Sequence, residues 1–338
     1  MLERELKLHV PARHRLALEN ALREAGGSEL LLRAQYFDTQ DNDLAKSGIA
    51  LRLRLEGHQW MQTAKAPGPD DLTRLELNHA RAGLDPKLDL ALYRDTPLEH
   101  VFTQLEKPLM LRYETSVQRL ALRHGIGDSQ IEFAFDRGVI KSGPLTLPLC
   151  ELELEQISGR ADDLFALGQQ WMRRYGLILD LRSKAERGSI LARIALSATA
   201  PGQAPDFLPL LQARRTQAPA PDTRLPARQA YQRCANECLN QIIRNATLLA
   251  GVEPLDTHPD LRFEYAAQLR LGIQGLRACR KQFGQPLRLD NAARDTELGE
   301  YFDLFGREPG QELASSAAFQ SCLLALLADL VALGDPGS

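Results

Sequence analysis

Two periods of hydrophobicity divide this chain. Over residues 1–196, apolar positions alternate with polar or charged ones in short runs broken by Gly, Pro, Asn and Asp, the two-residue period of half-buried strands, with helical patterns only at about 11–25 and 161–176. From Gln229 onward, apolar residues recur every three to four positions over about 229–250, 261–283, 292–305 and 315–333, which predicts four helices on short connections, an antiparallel bundle. Between the two regimes, residues 197–228 hold Pro201, Pro205, Pro209, Pro219, Pro221 and Pro226, a composition that continues neither a helix nor a central strand. The pattern therefore predicts an α+β chain: a β-rich domain over 1–196, a Pro-rich linker over 197–228 and a helical bundle over 229–338.

Several strands carry charge where a core would need grease. Glu3, Glu5 and Lys7 alternate, so a strand sets all three on one face and Leu6 and Leu8 on the other. The same arrangement recurs in Leu51-Arg52-Leu53-Arg54-Leu55-Glu56 and in Cys150-Glu151-Leu152-Glu153-Leu154-Glu155; Arg74 and Glu76 alternate likewise, and Glu132 and Asp136 fall two steps apart on one strand face. Taken singly, each is what a sheet with one solvated face shows. Together they include a same-sign triplet, Glu151, Glu153 and Glu155, that repels itself unless cations face it. A closed barrel with acidic and basic strands around one lumen supplies those cations and leaves the leucine faces to pack outside. In such a lumen Arg52, Arg54, Lys65 and Lys184 suit phosphate oxygens, and the carboxylates suit hard divalent ions. A phosphate chain with Mg²⁺ satisfies both sets.

Composition narrows the partners. The 338 residues include 41 Lys and Arg against 44 Asp and Glu, a formal net charge of -3, so no global positive field exists to hold nucleic acid or an anionic membrane. Cys150, Cys234, Cys238, Cys279 and Cys322 are odd in number and widely spaced, which predicts buried thiols in a reducing compartment rather than a disulfide framework. Cys234 and Cys238 share a helical face without a second pair to complete a zinc site. The charged N-terminus lacks the apolar run of a secretory signal, and 317–333, interrupted by Gln320 and Asp329, reads as a buried helix rather than a membrane span. A cytoplasmic protein, monomer or homodimer, is expected.

The ordered charged motifs resemble those of the CYTH family, the triphosphate tunnel metalloenzymes. Glu3-Arg4-Glu5-Leu6-Lys7 is similar to its ExExK signature. Tyr36-Phe37-Asp38-Thr39, Leu51-Arg52-Leu53-Arg54, Thr63-Ala64-Lys65, Arg74-Leu75-Glu76, Ile131 to Gly138, Glu151 to Glu155 and Ser183 to Gly188 resemble the motifs that follow. A helical second half makes the layout similar to bacterial CYTH–CHAD inorganic triphosphatases. The helical half, however, has Ala267-Gln268-Leu269-Arg270-Leu271 and Gln274-Gly275-Leu276-Arg277 where the CHAD motif carries a histidine and an arginine pair. Arg270, Arg277, Arg280 and Lys281 remain as a modest basic strip, and a scaffold or dimerisation role is expected of this half.

The resemblance implies an eight-stranded antiparallel β-barrel tunnel with flanking helices, in which inorganic triphosphate is hydrolysed with Mg²⁺ or Mn²⁺, with polyphosphate as a further candidate partner. It implies Glu3, Glu5, Lys7, Glu151 and Glu153 as the catalytic set, and Lys7, Arg52, Arg54, Lys65, Arg74, Arg112, Lys184 and Arg187 as substrate ligands. Metal-side acids would be Glu3, Glu5, Glu76, Glu132, Asp136, Glu151 and Glu153. On the strand 109–122 the tunnel arginine of the family falls on Thr115, with Arg112 the nearest guanidinium, so the loss of one phosphate contact is expected. That loss motivates an alternative, a noncatalytic triphosphate- or polyphosphate-binding protein; another is a CYTH hydrolase of an organic triphosphate.

Overall fold

The computed structural model describes residues 2–197, 205–215, 224–253, 260–287, 292–307 and 310–334. Its strands are β1 (Leu2–His9), β2 (Ser28–Asp38), β3 (Ala50–Glu56), β4 (Gln59–Pro67), β5 (Thr73–Arg81), β6 (Met110–Ile126), β7 (Ser129–Ser142), β8 (Leu145–Ser158) and β9 (Ile178–Leu179). Helices α1 (Arg15–Glu24), α2 (Asp43–Lys46), α3 (Glu99–Thr103), α4 (Ala161–Tyr175) and α5 (Lys184–Ser197) accompany them. Then come α6 (Ala227–Leu249), α7 (Asp260–Leu287), α8 (Ala292–Arg307), α9 (Gln311–Ala314) and α10 (Ala317–Gly334). Of the proline stretch 197–228, Pro201, Pro219 and Pro221 lie outside the described residues.

The strands pair in the order β5-β4-β3-β2-β6-β7-β8-β1, and β1 returns to β5 through Leu2↔Leu75, Glu3↔Arg74 and Arg4↔Thr73. Every pairing is antiparallel, so eight strands close into a barrel. Beyond the ring, Leu8 and His9 of β1 also pair with β9. Closure removes sheet edges and forces each strand to present one face inward and one outward.

The outward leucines account for the inverted alternation. Leu6 and Leu8 are fully buried beneath α4 with Phe133, Phe135, Leu152 and Leu154, against Leu164, Leu167 and Met172. Each such side chain contributes about 1.5–3 kcal/mol by leaving water. A second apolar cluster joins Tyr36 and Tyr113 to Leu191, Ala192 and Ile194 of α5, a helix the periodicity alone did not indicate. Gly188 permits that contact: a Cβ there would sit 2.2 Å from the Tyr113 ring. At Gly138 a Cβ would fall 2.0 Å from the Ser116 carbonyl oxygen across the β6–β7 ladder. Both glycines of the charged motifs therefore answer to packing.

The helical half docks on the barrel through one continuous core that joins α4, β9, α6, α7 and α10. By length and mean hydropathy (1.8) α10 is apolar enough to cross a membrane, but Phe319, Leu323 and Leu327 are buried in this core. Side chains from the helices satisfy the short β9: Gln320 Oε1 accepts from Leu179 N at 2.9 Å, and Thr247 Oγ1 donates to Leu179 O at 2.8 Å. An unmet backbone group there would cost about 1–3 kcal/mol.

Two readings of the helical half need correction. Cys234 and Cys279 are joined by a disulfide, and the Cys238 sulfur lies within 4.8 Å of both, because α6 and α7 pack side by side and bring together cysteines distant in sequence. The basic strip is dispersed. Arg270 donates to Phe302 O and lies over the Phe302 ring, and the Arg280 guanidinium is buried on Asp295.

Candidate active site in the barrel

A cavity of about 970 Å³ runs through the barrel and out to α5 and α6. The two-residue period places Glu3, Glu5 and Lys7 of β1, Arg52 and Arg54 of β3, and Lys65 of β4 along it. Arg74 and Glu76 of β5, Glu132 and Asp136 of β7, and Glu153 and Glu155 of β8 face it too. In the ring β3 stands four strands from β8 in either direction. The arginine wall and the glutamate wall are therefore opposite one another.

On the acidic side, Lys184 from the start of α5 reaches across to Asp136 Oδ2 at 2.8 Å and Glu153 Oε1 at 2.9 Å, and it also bonds Glu151. Asp136, Glu151 and Glu153 hold oxygens within 4.8 Å of one another, so one ammonium bridges all three. Lys7 bonds Glu5, and Lys65 Nζ lies 2.9 Å from both Glu3 and Glu76. Glu155 is different. It stands directly opposite Glu5 in the β1–β8 register and has no ion pair among the described residues. Burial, then the charges of Glu3, Glu5 and Glu132, push its carboxyl up to about 7. Burial likewise pushes Glu151 up to about 7.

On the basic side, burial and the neighbouring Arg52 push Arg54 down to about 10, although Glu56 accepts from its Nε at 2.6 Å. Arg52 donates to Tyr36 Oη at 3.2 Å, stands 3.9 Å from Glu76, and keeps a buried Nε without a hydrogen-bond partner. Each wall thus carries a group whose charge its neighbours do not balance, Arg54 on β3 and Glu155 on β8.

The expected loss of a tunnel guanidinium is corrected. Thr115 does face inward, opposite Ala34, but so does Arg119 four residues further along β6. Arg119 makes a fork onto Asp136, 2.7 Å to each oxygen, and reaches Glu153 at 2.9 Å. Thr115 and Arg119 have the same parity, which the alternation of β6 contains. Arg112 has the opposite parity: its guanidinium donates to Thr39 O, Gln40 O and Asn42 Oδ1, tying down the β2–α2 turn at the cavity's edge.

Other candidates sit at the margins. Arg187 does not line the cavity. It donates to Pro148 O, lies 3.2 Å from Glu253 of the helical half and only reaches Glu151 at 4.0 Å, because α5 turns its buried face away from the lumen. Glu151 is drawn toward the same side by Lys184. Glu132, toward the β6–β7 hairpin, pairs with Arg123 at 3.1 Å, and Arg74 donates to the carbonyls of Asp70 and Thr73 at the opposite end, the mouth. Asp38 of the Tyr36–Thr39 motif is structural: it accepts from Thr39 N, Leu44 N and Ala45 N, capping α2.

The donor set fits a hard divalent cation. Glu155, unpaired and facing Glu5, offers oxygen ligands to a charge that its surroundings do not supply. The Asp136, Glu151 and Glu153 trio fits less directly, since Lys184 already holds it.

Comparison with known proteins agrees with this geometry. The CYTH domain model matches residues 1–189, and the chain belongs to the CYTH family. An inorganic triphosphatase of Haemophilus influenzae is 30% identical over 165 residues, covering 48% of this chain and 46% of that protein. An uncharacterised protein of Mycobacterium tuberculosis is 31% identical over 198 residues, 52% of this chain and 35% of that one. The chain thus matches less than half the length of these curated relatives. A solved structure of a candidate adenylate cyclase from Bacillus halodurans superposes with a TM-score of 0.41 at 20% identity, covering 55% of this chain and 96% of that one.

Proposed function

We propose that the barrel hydrolyses inorganic triphosphate to pyrophosphate and phosphate with Mg²⁺ or Mn²⁺. The observation that carries this reading is the pair of opposed imbalances: Arg54 pushed down to about 10 on one wall and Glu155 pushed up to about 7 on the other. An anion alone would be repelled by the carboxylates and a cation alone by the arginines; a phosphate chain with a divalent ion balances both. The name of the Haemophilus influenzae relative points the same way.

In this reading Glu3, Glu5 and Glu155 hold the cation, with Glu76 and Glu153 beside them. The bound ion supplies Lewis-acid neutralisation of phosphate oxygens. Arg52, Arg54, Arg119, Lys7 and Lys65 bind the phosphate oxygens, the arginines as planar forks, and neutralise the charge that develops on the departing pyrophosphate. Lys7 and Lys65 are within reach of both substrate and carboxylates, so they exchange partners as the chain enters. Lys184 and Arg119 hold Asp136 and Glu153 in place. Because phosphoryl transfer asks for positioning and charge more than covalent chemistry, a preorganised tunnel suffices. The noncatalytic alternative drew on Thr115 and on the altered helical motif, and Arg119 removes the first ground.

The test is phosphate release from inorganic triphosphate and from ATP with Mg²⁺, Mn²⁺ or EDTA. Metal-dependent turnover of triphosphate is expected, with Glu5→Gln losing about 10²–10³-fold and Arg54→Ala about ten- to a hundredfold, at unchanged circular dichroism. Turnover that survives EDTA or Glu5→Gln would overturn the assignment, and preference for ATP would move it to organic triphosphates.

A further inference from the structure

The cavity does not end with the barrel. Its outer part is walled by two helix faces: Glu186, Ser189 and Arg193 of α5, and Asn236 and Arg244 of α6, the first long helix of the C-terminal half. Residues 236, 240 and 244 are one turn apart and share a face of α6. Asn240, the middle one, donates to Asp71 Oδ2 at 2.8 Å and so holds the β4–β5 loop at the mouth. Arg244 forks onto Glu186, with Nη2 2.9 Å from Oε2, and its buried Nε has no hydrogen-bond partner.

The charges of this mouth are unequal in how well they are satisfied. Its acids are all engaged. Asp70 accepts from Leu72 N and Thr73 N, Asp71 from Asn240, Asp180 from Arg182, and Glu186 from Arg244. The cations are met less fully: Arg74 and Arg112 donate to carbonyl and amide oxygens and Arg244 to Glu186, but Arg193 has no ion pair among the described residues and Lys46 comes only to 3.7 Å from Asp43. What the mouth lacks is therefore an anion.

We propose that α6 completes the substrate site, with Arg244 as a specificity-determining residue that binds a phosphate lying beyond the three held in the barrel. The site then favours linear inorganic chains of four or more phosphates over triphosphate, and the C-terminal half acts as a wall of the active site. This rests on the reading of the tunnel as a triphosphate site.

The experiment titrates the full chain, in Mg²⁺, with non-hydrolysable methylene-bridged analogues of triphosphate and tetraphosphate by calorimetry. The native chain is expected to bind the four-phosphate analogue about tenfold more tightly than the three-phosphate one, as one charge-assisted contact allows. Arg244→Ala should abolish that preference. Glu186→Gln, which releases Arg244 from its carboxylate, should widen it about threefold, a reversal that general destabilisation would not produce. Tight binding of both analogues with no preference in the native chain, or a preference unchanged in Arg244→Ala, would overturn this proposal and leave the tunnel reading standing. Binding of neither would overturn both.

Discussion

Two ionic clusters lie a few residues apart in this molecule and differ in how their charges are met. At the seam between barrel and helices, Arg182 makes a two-pronged contact with Asp180 at 2.8 and 2.9 Å and reaches Glu253 at 2.8 Å, all deeply buried. Burial would raise the Asp180 carboxyl, but Arg182 holds it down at about 2. Within the barrel Lys7, Arg119 and Lys184 are likewise held up and Glu153 held down by their partners, but Glu155 is pushed up to about 7 and Arg54 down to about 10. In the seam the fold meets its own charges, so the cluster serves the structure. In the tunnel it leaves charge of both signs unmet, and that deficit is what a ligand would supply. Counting charged residues would rank the clusters alike; Glu155 and Arg54, displaced against their own charge, separate them.

That contrast is most strongly tested by breaking the seam. Arg182→Met leaves Asp180 buried without its partner and Glu253 with Arg187 alone, and should cost about 3–5 kcal/mol in urea denaturation; a loss below 1 kcal/mol would show that the seam is not a balanced unit. In the tunnel the corresponding change, Arg119→Ala, removes a fork on Asp136 and a phosphate ligand together. It should lower kcat/KM for triphosphate about ten- to a hundredfold, the worth of a charge-assisted contact at roughly 1.5–3 kcal/mol. Unchanged kinetics would return the role to another side chain.

The smallest effect is the acid titration of the seam. A carboxyl depressed in the folded chain stabilises it above its unfolded pKa, near 3.8, and that contribution is lost as pH falls toward about 2. The native chain should therefore lose about 2 kcal/mol more than Asp180→Asn between pH 4 and pH 2. Equal losses would mean that Asp180 is not the group that titrates.

Much of the barrel could be read from the chain because strand parity is local. Glu3, Glu5 and Lys7 had to share a face, and so did Arg52 with Arg54 and Glu153 with Glu155, whatever the strands paired with. The same rule contained Arg119, since it shares the parity of Thr115, whereas Arg112, of the opposite parity, meets the cavity only at its edge. Glu155 belonged to the acidic triplet, yet its isolation from any cation appears only when the β1–β8 register sets it against Glu5. Arg187 was legible as a conspicuous basic residue beside Lys184, but one helical turn decides which of them reaches the lumen, and that depends on how α5 packs on Tyr113.

By itself, then, the sequence determined the strand faces, the helical second half and the inventory of acids and bases, because these follow from spacing of a few residues along one backbone. Only the tertiary structure decided which charges meet. It set the arginine strand four positions from the glutamate strand, spent Lys184 on three carboxylates, and brought Arg244 from the far half of the chain to the cavity's mouth. Coulomb interactions and desolvation act through space over a few ångströms, and neighbours at that range are separated by 31 residues for Lys184 and Glu153 and by 58 for Arg244 and Glu186.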